Sequence, residues 1–96
     1  MTYEPPPEYE WDEAKSARNA RERGLPFDIA PRLFQGRWFA GADDRVDYGE
    51  LRLRATGEVG GLVLVCVYTM RGDRRRVISL RVANRSERHA YRAHDG

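Results

Sequence analysis

The chain has 96 residues, 41% apolar, 10% aromatic and 33% charged, with a formal net charge of +2. That describes one small soluble domain and excludes wholesale disorder, and its size leaves no room for a deep cofactor cavity beside a large core. The longest apolar run, residues 62–67, is far short of the roughly 20 residues that span a bilayer.

Residues 1–9 are rich in proline and glutamate and read as an extended lead-in to a single domain over 10–93. Pro5, Pro6 and Pro7 lack backbone N–H groups, which rules out helix there, and the acidic start is not expected to be a secretory signal. Asp12 is a candidate N-cap for a first helix ending near Arg23. Trp11, Ala14 and Ala17 are spaced to pack one side, and Gly24 supplies the stop. A second helix follows Pro26, with Phe27, Ala30, Leu33 and Phe34 as its stripe and Gly36 as its end. Pro31 makes that helix short or distorted.

From Arg37 the period changes from 3.6 to 2. Residues 37–40 read as a first strand, followed by an acidic loop at Asp43 and Asp44. Residues 48–56 alternate as a second strand, with Leu51, Leu53 and Ala55 opposite Glu50, Arg52 and Arg54. A turn over 57–61 leads into a third strand, apolar on both faces and therefore central. Gly72 and Asp73 make a hairpin turn into a fourth strand over 74–82. Asn84 and Glu87 form a capping box for a closing helix over 85–93. The predicted fold is α+β: two N-terminal helices, a four-stranded antiparallel meander and a C-terminal helix.

One cysteine, Cys66, lies inside the central apolar run, so it reads as a buried hydrophobe with no disulfide partner. With two histidines it falls short of a structural zinc site. The expectation is a cytoplasmic protein with no metal, cofactor or membrane association. Charge is uneven along the chain: residues 1–70 carry 9 basic and 12 acidic groups, residues 71–96 carry 8 arginines and 3 acids. Such a basic field attracts phosphate, and equally an acidic protein.

The polar face of the second strand is where chemistry is expected. Glu50 as general base, with Arg52 and Arg81 stabilising phosphate charge, makes a workable set for metal-free RNA cleavage by a 2′-hydroxyl. The same alternation also fits an ordinary solvated strand face. Tyr48, Trp38 and Tyr91 are candidates for base stacking, although a small core needs aromatics too. The run Arg74, Arg75 and Arg76 is a candidate phosphate clamp beside a hairpin, or a charged guard for a sheet edge. Arg85, at the start of the closing helix, is a further candidate RNA contact.

Several segments in order resemble the BrnT family: residues 11–15 (WDEAK), 47–50 (DYGE), 67–69 with 71–73, and 77–81 (VISLR) with Ala83, Glu87 and Tyr91. The resemblance spans about residues 10–92. It implies a RelE-like fold and a metal-independent ribonuclease toxin that halts translation. It further implies a BrnA-type antitoxin, a ribbon-helix-helix DNA binder, joined with the toxin in a heterotetramer that represses its own operon. By position, the resemblance assigns catalysis to Glu50 and Arg81, then Arg52, with Tyr91 as an acid or stacking group. One departure bears on activity. Where the family commonly has Asn-x-x-Lys-His-Gly, this chain has Glu22 and Arg23 in place of the lysine and histidine. Arg23 is the candidate replacement cation. The alternative reading is an inactive interaction module that keeps antitoxin binding and autoregulation.

Overall fold

The computed structural model describes residues 8–43 and 49–94. It shows a five-stranded mixed sheet with helices on both faces. The elements are β1 (Glu8–Glu10), α1 (Glu13–Arg23), a 3-10 turn (Phe27–Ile29) running into the one-turn α2 (Ala30–Leu33), β2 (Trp38–Ala42), β3 (Leu53–Val59), β4 (Leu62–Arg71), β5 (Arg74–Val82) and α3 (Arg85–Ala93). Strand order is β1-β5-β4-β3-β2.

The α+β class, the central third strand, the β4–β5 hairpin and the capped closing helix agree with the sequence reading. The sheet itself is a correction. Glu8, Tyr9 and Glu10, part of the expected lead-in, pair in parallel with Arg74, Arg75 and Arg76 and add a fifth strand. Three residues carry no legible period, and what recruits them lies more than sixty residues away. Arg75 extends its guanidinium over Phe34 at 3.8 Å, with Tyr68, Trp38 and Tyr9 at 5.0, 5.4 and 5.7 Å, and it donates to Tyr9 Oη at 3.1 Å. Cation–π attraction and packing of the side-chain stem therefore tie β1 to the sheet.

The second expected helix is a 3-10 turn plus a single α-turn, with Pro31 in its first turn, where a missing N–H costs nothing. Its residues still form the core beneath α1: Phe27, Ala30 and Leu33 are buried with Leu64, Cys66, Leu80 and Ala55. Leu33 rests on Gly57, where any Cβ would come within 2.9 Å of its side chain. That contact accounts for a glycine in mid-strand: β3 runs through Gly57 to Val59, and the chain turns at Gly60 and Gly61, both with positive φ. The opposite face holds Val63, Val65, Ala83 and Tyr91, with Phe39 against them. β4 is buried on both sides, and Cys66 lies fully in the first core, where burial pushes its thiol up to about 12.

Helix α1 docks differently from the expectation. Ala14 and Ala17 are exposed, and the inward residues are Ser16, Asn19 and Ala20. Ser16 Oγ accepts from Phe27 N at 2.9 Å, while Asn19 Nδ2 donates to Leu25 O at 2.6 Å and Leu80 O at 2.9 Å. An amphipathic stripe could not reveal a helix held by polar groups. Its place follows from β5, whose edge away from β4 has, beyond Arg76 and among the described residues, no partner strand and receives Asn19 instead.

Candidate functional site

Two clusters of charge lie on this scaffold. The first surrounds Glu50, in the segment that enters β3. That segment is held by two hydrogen bonds: Thr69 Oγ1 donates to Leu51 O at 2.7 Å, and Asp43 N donates to Arg52 O at 2.8 Å. Thr69 is 2% exposed, so its hydroxyl serves to hold this segment in place. The Glu50 carboxylate then stands 3.8 Å from Arg52 Nε and 3.9 Å from Arg71 Nη2, ion-pair contacts too long for hydrogen bonds. A depression of about 160 Å³ opens there, lined by Lys15, Arg52, Arg71 and Arg76 around Glu50, with Asp12 at the α1 N-terminus. Four cations against two carboxylates, Glu50 and Asp12, are a suitable lining for a phosphodiester.

The second cluster lies beneath α3. Arg81 makes a two-pronged pair with Glu87, at 2.7 and 2.8 Å. The guanidinium holds the Glu87 carboxyl down to about 2, helped by the Asn84 N–H that donates to it at 2.9 Å and by Arg54. Arg76, in the Glu50 depression, faces Thr69 across the hairpin, and Arg81 faces Val65. Those positions are four β4 residues apart, about 13 Å at the usual strand rise. The pair with Glu87 also draws Arg81 towards α3. Glu50 and Arg52 are thus brought together, and Arg81 is not brought to them.

The remaining candidates are distributed. Tyr91 is 3% exposed; its hydroxyl donates to Arg37 O at 2.9 Å and Arg37 covers its ring at 4.1 Å. The expected acid or stacking role therefore lacks access, because Tyr91 anchors α3 to the start of β2. Arg74 pairs with Glu8 at 3.4 Å, beside β1. Arg76 contacts Glu10 at 4.0 Å. Arg23 reaches Leu80 O at 3.5 Å, and it lines a shallow depression with Glu22, Arg18 and Ser79. Arg85 stands with Arg88, His89 and Arg92 along the outer face of α3. Tyr48 lies outside the described residues. Sequence reasoning missed Lys15, Arg71 and Thr69. All three fall within segments that carry the family resemblance, but only the fold places them beside Glu50.

The family model for BrnT, the ribonuclease toxin of type II toxin–antitoxin systems, matches residues 11–87. The chain belongs to the BrnT family. It is thus a member of a family of ribonuclease toxins that are partnered with antitoxins. The matched span runs from Trp11 through the Glu50 depression to Glu87, so both charge clusters lie inside it. Among curated proteins no match is found. Among the described residues, no helix is long and apolar enough to cross a membrane.

Proposed function

We propose that this BrnT chain is a metal-independent endoribonuclease toxin that cleaves RNA in the Glu50 depression and is neutralised by a BrnA-type antitoxin. The observation that carries the reading is one depression lined by Lys15, Arg52, Arg71 and Arg76 together with the Glu50 carboxylate, within a chain of a ribonuclease family. Glu50 takes the proton of a ribose 2′-hydroxyl, whose oxygen attacks the adjacent phosphorus. The P–O5′ bond then breaks, leaving a 2′,3′-cyclic phosphate and a 5′-hydroxyl. The arginines bear the added negative charge on the phosphoryl oxygens, where fixed cations lower the barrier most. They cannot give up a proton to the leaving oxygen, since arginine stays charged in proteins. Lys15 is the side chain in the depression equipped to do so. Arg81 and Arg54 then contact a neighbouring phosphate of the same strand. Translation stops as RNA is cut in the cytoplasm, and a toxin–antitoxin heterotetramer represses the operon.

The test is cleavage of a defined RNA by purified chain, with growth arrest on induction without antitoxin. Glu50→Gln abolishes both on this reading. Lys15→Arg fails to restore the rate of Lys15→Ala, because it returns charge without a transferable proton. Wild-type cleavage undiminished in Glu50→Gln would remove the site from this depression. A second reading, the inactive module, draws on Glu22, which lines a depression beside Arg18 and Arg23 where the family commonly carries lysine. It requires intact RNA and normal growth with wild type, together with retained antitoxin binding.

A further inference from the structure

The sheet has two outer strands and one partly bare flank, and they are protected unequally. β1 carries Glu8 and Glu10 and follows three prolines, all features that discourage edge pairing. The flank of β5 is covered by α1, whose Asn19 and Arg23 take Leu80 O. β2 pairs along its whole length with β3 on one side, and among the described residues nothing pairs with the other. Its sequence, Trp-Phe-Ala-Gly-Ala, contains no charge and no proline, and Ala40, Gly41 and Ala42 are exposed. Alternate N–H and C=O groups of such a strand point outward, ready for another chain.

A groove of about 270 Å³ lies directly beside that edge, between β2 and α3. Its lining is largely apolar: Phe39, Ala40, Gly41 and Ala90 line it with Thr56, and Arg54 and Glu87 stand at its polar side. An open edge with a side-chain pocket one residue in is the arrangement by which sheets accept a peptide strand. Main-chain bonds then give affinity and the pocket gives selectivity.

We propose that β2 receives an extended segment of the cognate antitoxin, which adds a sixth strand and places an apolar side chain in this groove. The inference rests on the BrnT reading, which supplies the partner. A second copy of the chain is a poorer occupant, because the large side chains of its own β2, Trp38 and Phe39, already pack against the two cores, which leaves only Ala40, Gly41 and Ala42 to offer. The surroundings also favour an acidic partner: Arg37 precedes the edge and Arg54 borders the groove. A carboxylate on the added strand meets Arg54. The bound segment covers the Arg54, Arg81 and Glu87 cluster, denying that surface to RNA.

The test is hydrogen–deuterium exchange of the free chain and of its complex with the co-purified cognate antitoxin. Amides within 39–42 slow at least tenfold in the complex. Unchanged exchange there, in a complex that forms, overturns the inference and leaves the family reading standing, whereas no complex at all overturns both. Protection that grows with concentration in the free chain overturns it in favour of self-pairing. A variant supplies an independent readout. A Cβ at Gly41 meets nothing within 4 Å, and the same holds at Gly36, away from the groove. Gly41→Phe fills the groove, so antitoxin affinity falls tenfold or more at unchanged melting temperature, while Gly36→Phe binds as wild type. Equal affinity for both variants overturns the docking.

Discussion

Glu87 closes the helix N-terminus and also holds Arg81, and its titration separates these roles from mere surface charge. Its carboxyl falls from 4.5 to about 2 in the folded chain, chiefly through the hydrogen bond from Arg81. A depressed carboxylate stabilises the fold above its unfolded value and loses that contribution as pH falls through the folded one. Stability measured by denaturant should therefore drop between pH 4.5 and about 2, and Glu87→Gln should show a shallower drop in that window. Asp12, also lowered by its capping bond to Lys15 N, contributes a residual slope that Glu87→Gln retains. Equal slopes in the two proteins would mean that the pair with Arg81 is not maintained in solution. The capping role of Glu87 was readable in the order Asn84-x-x-Glu87. The pairing with Arg81 was not, since it needs β5 and α3 to meet at one angle.

At the scale of elements, β3 and β1 show where periodicity stops being informative. Gly57 reads as a turn residue, yet it lies in mid-strand because Leu33 of α2 needs its missing side chain. Gly57→Ala is expected to destabilise by about 1–3 kcal/mol through overpacking, seen as a lower denaturation midpoint at unchanged slope. Alanine at Gly41, on the open edge, should leave the midpoint in place. β1 depends on the aromatic surroundings of Arg75. Arg75→Ala is expected to cost about 2 kcal/mol, from cation–π attraction and packing together. Lysine recovers little of it, because an ammonium does not stack as a flat guanidinium does. Faster amide exchange at Tyr9 and Glu10 than at the core of β4 would mark β1 as the element that loosens. The triple arginine, read as a clamp or an edge guard, divides its duties: Arg75 is structural, while Arg74 and Arg76 face glutamates of β1.

For the molecule as a whole, the basic C-terminal quarter is spread over three places: the hairpin, the Arg81 cluster and the outer face of α3. Arg85, Arg88 and Arg92 recur on that face with His89 at helical spacing; Arg92 pairs with Glu58 at 2.6 Å, which leaves Arg85 and Arg88 as the pair to offer a polyanion. Each phosphate contact on a single strand steepens the salt dependence of binding by about 0.7 in log–log slope. The double variant Arg85→Ala/Arg88→Ala should reduce the slope for a non-cleavable oligonucleotide by about 1.4, with its thermal stability kept. An unchanged slope would confine RNA to the sheet.

The sequence by itself determined the elements whose signal is local. The β4–β5 hairpin, the capping box of α3, the apolar strand that had to be central and the α+β class all follow from spacing within about ten residues. The ordered segments sufficed for the BrnT resemblance as well, because a family pattern is a property of chain order. The tertiary structure decided everything that joins distant residues. It recruited β1 through Arg75, replaced an expected apolar face of α1 by Ser16 and Asn19, and turned Tyr91 inward onto Arg37. It also gathered Lys15, Arg71 and Arg76 around Glu50 and held Arg81 apart with Glu87. Charge and hydrogen bonding act over a few ångströms and follow no fixed sequence period, so these partners emerge only once the sheet has set their separation.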